Sequence, residues 1–155
     1  MKHYLLISIF AILTLAGCAS KNDVNEIAIP QDKIYVIIFE GNPKITDKRV
    51  MSSSNIQIGD VLIQTPSASD LTVIKVSIKE AYTQLIRTNT VFVASDGYLK
   101  YDQVGETGAP LAEGGRLLGF TGKAKLLWFK TKSKVTGLSQ AAKNKAEQLY
   151  RRVTN

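Results

Sequence analysis

The chain opens on an almost unbroken apolar run, Tyr4 to Ala16, interrupted only by Ser8 and Thr14. Residues 19 to 32 are mostly polar and show no sustained periodicity, which suits a tether. Lys33 to Glu40 is then a β-branched and aromatic run ended by Gly41-Asn42-Pro43. It predicts a first strand, and its continuous hydrophobicity predicts burial on both faces. After a polar connection, Val50-Met51 predicts a short second strand. Ile56 to Gln64 predicts a third, broken at Gly59-Asp60, where a glycine inside a strand pattern marks a bulge or a close backbone approach. Thr65 to Asp70 predicts a turn. Leu71 to Ile78 puts Leu71, Val73, Lys75 and Ser77 on one face and Thr72, Ile74, Val76 and Ile78 on the other, which is the core face. Lys79 to Arg87 is a short link, helical or extended. Thr90 to Ala94 predicts a buried strand, Ser95-Asp96-Gly97 a turn, and Tyr98 to Val104 and Leu117 to Phe120 the remaining strands, the last reached through the glycine-rich turn at Gly114-Gly115. The expected fold class is all-β, one small β domain over residues 33–120.

Residues 121–155 continue differently. Leu126-Leu127-Trp128-Phe129 sits among lysines and is expected to form a final strand on the β domain. The other reading is an apolar patch for a membrane or a neighbouring subunit, since Trp and Lys together favour interfaces. Thr136 to Val153 predicts a short C-terminal helix with Leu138, Ala141, Ala142, Leu149, Tyr150 and Val153 on one stripe. So thin and alanine-rich a stripe suits packing between like helices of an oligomer.

A length of 155 residues accommodates one ordinary domain with appendages. The opening run follows a short basic start, falls short of the ~20 residues a membrane span needs, and reads as a signal peptide over residues 1–17. It ends in Leu15-Ala16-Gly17-Cys18, which resembles the bacterial lipobox. That resemblance implies that Cys18 is the first mature residue and carries acyl chains such as palmitate, with residues 18–32 as a lipidated tether. The alternative is a signal anchor with an incidental cysteine. Formal charge is +7, with nine Lys or Arg against one Glu from Thr121 onward, so the basicity belongs to the tail. A basic tail on an envelope protein fits anionic headgroups or an acidic partner, and no nucleic acid is expected.

Catalytic chemistry is sparse. The only Cys is Cys18 and the only His is His3, within the signal, so the mature chain is expected to hold no Cys-His or histidine-ligated metal site, no catalytic residue and no cofactor. Asp96, Asp102, Glu106 and Glu113 cluster in sequence but among loop residues, where solvated charge is the commoner reading.

Six pieces then follow one another in an ordered way: Phe39, Ile56-Gln57-Ile58-Gly59-Asp60-Val61, Leu71 to Ile78, Val91-Phe92-Val93-Ala94, Gly97-Tyr98-Leu99-Lys100, and Pro110-Leu111-Ala112-Glu113-Gly114-Gly115. In order and spacing they resemble the Mce (mammalian cell entry) domain, the MlaD-like module of bacterial lipid-transport systems. The resemblance covers residues 34–120 and implies a barrel-like β domain. It makes Gly59, Gly97, Gly114 and Gly115 structural turn residues. Tyr98, Leu99, Lys100 and Tyr101 would form a loop lining the central hole of a ring and touching acyl chains, although alternating Leu99 and Tyr101 also read simply as core. The implied protein is a homo-oligomeric ring, lipid-anchored in the bacterial envelope and facing the periplasm. It would bind or conduct phospholipid between membranes with ABC-type transporter subunits. The alternative function is a structural envelope lipoprotein that scaffolds a secretion or surface assembly.

Overall fold

The computed structural model describes residues 31–67, 70–132 and 138–154. The signal segment, Cys18 and most of the expected tether lie outside those residues. Seven strands are present: β1 (Lys33–Glu40), β2 (Arg49–Met51), β3 (Gln57–Ser67), β4 (Leu71–Ile78), β5 (Thr90–Ser95), β6 (Tyr98–Gln103) and β7 (Arg116–Phe120). They close into a barrel in the order β1-β4-β3-β2-β6-β5-β7. Two helices follow, α1 (Lys123–Lys132) and α2 (Leu138–Thr154).

The hydrophobic pattern explains this architecture strand by strand. β7 pairs in parallel with β1 on one side and β5 on the other, and these three strands are the ones with continuous apolar runs. A parallel segment needs cover on both faces, and it has it. Tyr35, Ile37, Phe39, Phe92, Ala94 and Leu117 fill the barrel interior, while Ile38, Val91, Val93, Leu118 and Phe120 face outward. Leu126 and Phe129 of α1 and Ala142, Ala146 and Leu149 of α2 cover that outward surface. By contrast β4 alternates, with Thr72, Ile74, Val76 and Ile78 buried and Lys75 exposed, as the period of two requires.

The outer layer is clamped by charge as well. Arg116 donates from Nη1 to Glu147 at 2.6 Å and lays its guanidinium 3.6 Å from the Tyr150 ring centroid. Lys145 pairs with Glu40 at 3.0 Å, and Lys130 with Asp102 at 3.1 Å. One end of the barrel is plugged by a 3-10 helix at Glu80–Leu85 followed by buried Ile86, with Tyr82, Leu85 and Leu111 packed against the interior.

Four expectations change. Residues 123–132 form a helix instead of a final strand, so the basic tail is two helices that complete the core. The α2 stripe packs on its own barrel, which removes the case for a helix-to-helix oligomer contact there. Residues 65–67, expected in a turn, extend β3, while the irregularity expected about Gly59 is present, Val50 pairing with Gly59 and Met51 with Gln57 across a register shift. Tyr98 to Tyr101 belong to a barrel strand and not to a loop tip. The β5–β6 connection is the two-residue turn Asp96-Gly97, with φ of 56° and 86°, too short to project anything.

Candidate functional site

An apolar recess runs between α1 and the outer face of the β5–β6 hairpin, with a volume of about 460 Å³. Its existence follows from where α1 lands. Phe120 and Phe129 meet at a 50° tilt with 5.2 Å between centroids and fix one flank of the helix on β7. The other flank stands off from β6, whose outward residues Lys100 and Asp102 are polar and do not close the gap. Val93, Ala124, Leu126 and Leu127 give the recess its apolar lining, and Ser53, Ser95, Lys100, Asp102, Lys123 and Lys130 give it a polar rim.

The rim is net positive, with three ammonium groups against one carboxylate. Lys130 donates from Nζ to both oxygens of Asp102, at 3.2 and 3.1 Å. Lys100 donates to Asn55 Oδ1 at 2.9 Å, which ties the rim to the β2–β3 loop, where Asn55 takes a φ of 59°. Lys123 makes no ion pair among the described residues. Apolar contact below and positive charge above is what an amphiphile with an anionic head requires.

The residues singled out in the sequence disperse over this framework. Lys100 and Tyr101 border the groove. Leu99 is fully buried inside the barrel and Tyr101 nearly so. Tyr101 meets Phe92 edge-on at 6.3 Å, and its hydroxyl donates to the Leu85 carbonyl at 3.2 Å. Burial pushes the Tyr101 phenol above its ordinary range, and the same cause, assisted by Glu113, raises Tyr35. Leu99 and Tyr101 are therefore core side chains, so the expected lipid-lining role does not fit them. Tyr98 is half-exposed beside the turn.

The glycines serve structural ends. At Gly59 a Cβ would meet Ile78 Cδ1 at 3.0 Å and run into the Ser77 carbonyl, so the position is a close backbone approach between β3 and β4. Gly97 lies in a small polar recess with Asn42, Lys44 and Thr121, and Gly114 and Gly115 border another beside Arg116 and Glu147. Cys18 lies outside the described residues.

Sequence reasoning missed the groove because it missed α1. The signal was nevertheless present. Four consecutive apolar residues on a helix, at ~100° per residue, cannot share one face: Leu126 and Phe129 turn inward, while Leu127 and Trp128 remain exposed. Among the described residues no group of three or more His, Cys, Asp or Glu side chains could hold a metal, and no helix is long and apolar enough to cross a membrane. The chain matches no protein-family model and no curated protein.

Proposed function

We propose that this chain is a lipid-anchored protein of the bacterial envelope that binds phospholipid in the groove beneath α1. The observation that carries the reading is the apolar recess of about 460 Å³ rimmed by Lys100, Lys123 and Lys130. An acyl chain placed there leaves water, at roughly 0.8 kcal/mol for each buried methylene, while a phosphate at the rim meets ammonium groups. The lipobox-like Leu15-Ala16-Gly17-Cys18 supports anchoring, and a closed seven-stranded barrel is compatible with the Mce-like resemblance. That resemblance adds the setting, an oligomeric ring that passes phospholipid between membranes with an ABC-type transporter. The path it would use in this chain is moved from the Tyr98–Tyr101 segment to the groove.

Filling the groove tests the reading. Ser95→Trp places an indole in the recess from the outward face of β5, so the barrel interior and the exposed strip of α1 are both untouched. The parent is expected to retain phospholipid through detergent extraction, and the variant to lose at least ten-fold of it with an unchanged far-UV circular dichroism spectrum. Equal lipid in both proteins would remove the groove from the account.

A second reading, the envelope scaffold, has its own observation. Beyond Val61 the β2-side edge of β3 carries no strand among the described residues, and Leu62 and Ile63 are exposed there. An open edge of this kind accepts a partner strand. Replacing Ile63 by Lys should disrupt a scaffold contact and leave lipid retention intact.

A further inference from the structure

The geometry points to α1 as an interfacial helix whose outer face docks on an anionic lipid leaflet. The helix is apolar on two sides. Its inner side, Leu126 and Phe129, is buried against the barrel. Its outer side carries Ala124, Leu127, Trp128 and Thr131, and Leu127 and Trp128 are 66% and 63% exposed. Among the described residues nothing covers them.

Flanking this outer strip are Lys123 and Lys130 on one side and Lys125 and Lys132 on the other, while the helix holds no acidic residue. An apolar strip between two rows of lysine is the pattern of a helix that lies in the headgroup plane, its rings at the acyl boundary and its ammonium groups among the phosphates. Lys132 already sits 4.8 Å from the Trp128 ring centroid, so the ring and the charge present themselves together.

The occupant is set by charge. Lys123, Lys125 and Lys132 form no ion pair among the described residues, and each lysine near an anionic surface strengthens binding roughly five-fold. The proposal does not depend on occupancy of the groove, because Lys125, Trp128 and Lys132 do not line it. It places the groove beside the leaflet, since Leu127 borders both.

Trp128 is the only tryptophan of the chain and therefore reports its own environment. The full chain, purified from membranes, is reconstituted into vesicles of phosphatidylcholine alone or with increasing phosphatidylglycerol. Flotation reports anchoring, and Trp128 emission reports docking. The expected result is co-flotation with both vesicle types. Blue-shifted emission, quenched by brominated acyl chains, is expected only with phosphatidylglycerol and is reversed by high salt. Replacing both Lys125 and Lys132 with Gln should weaken the docking equilibrium by roughly 25-fold. Three results would overturn the proposal: water-exposed, unquenched emission in floating protein with anionic vesicles; a shift indifferent to phosphatidylglycerol or to the double variant; or a shift that grows with protein concentration without anionic lipid, which would assign the face to a second copy of the chain.

Discussion

Gly119 offers a sharp test of how the barrel is packed. It lies in β7 directly opposite Phe39 of β1 in the parallel register, and the Phe39 ring folds across it. A Cβ at this position would stand 2.5 to 2.6 Å from Cζ, Cε1 and Cε2 of that ring, where carbon atoms need about 3.5–4.0 Å. Gly119→Ala must therefore push the ring by about 1 Å. Phe39 is fully buried in the interior cluster with Tyr35, Ile37 and Leu117, so it has no open side to move toward. Overpacking of this kind costs typically 1–3 kcal/mol, and with the ring enclosed we expect the upper end, about 3 kcal/mol. Urea denaturation of Gly119→Ala, with Gly122→Ser as a control where a Cβ meets nothing within 4 Å, gives the number. The stronger check is a double-mutant cycle with Phe39→Leu. Removing the ring should relieve the clash, so the two changes together should cost at least 1 kcal/mol less than their sum. Strict additivity, or a Gly119→Ala protein as stable as the control, would refute this packing.

Three further outcomes are expected. Leu99→Asp should abolish the folded circular dichroism spectrum, because it buries an unpaired carboxylate inside the barrel, whereas Tyr98→Asp at the half-exposed turn should keep it; a folded Leu99→Asp protein would return this segment to a loop. The buried phenols of Tyr35 and Tyr101 are raised above the ordinary value of 10.0, so the native state keeps protons that the unfolded chain sheds. The stability they contribute is complete below about pH 10 and is lost as pH rises through their folded values. Thermal melts from about pH 9 to 11 should fall less steeply for the Tyr35→Phe, Tyr101→Phe double variant than for the parent. Cys18→Ser should eliminate incorporation of a labelled fatty acid and leave an uncleaved precursor, and undiminished label would end the lipoprotein assignment.

Much of the barrel was legible because its strands differ in how they are covered. The unbroken apolar runs of β1 and β5 announced burial on both faces, and the alternation of β4 announced one. β3 was read too short because Thr65-Pro66-Ser67 carries turn residues. A proline is tolerated on an unpaired strand edge, and Pro66 lies on the stretch of β3 that has no strand neighbour on the β2 side among the described residues. α1 escaped because a helix apolar on two faces loses the single-stripe period that identifies one. Its Leu-Leu-Trp-Phe core then imitates a buried strand. Ala141, Ala142, Leu149, Tyr150 and Val153 of the expected α2 stripe do pack inward, joined by Ala146, which was not expected there, but which surface covers a stripe is a tertiary fact. The groove depends on α1 standing off from β6 and had no local signature. The alternation of Leu99 and Tyr101 did carry their core role, and the two-residue Asp96-Gly97 turn explains why no loop stands there.

The most direct measurement for the lipid-binding account is native mass spectrometry of the full chain gently extracted from membranes in detergent. The expected spectrum shows each protein copy carrying a non-covalent phospholipid, which dissociates on collisional activation and is absent from the Ser95→Trp variant. A parent protein that is free of phospholipid under the same extraction would contradict the account.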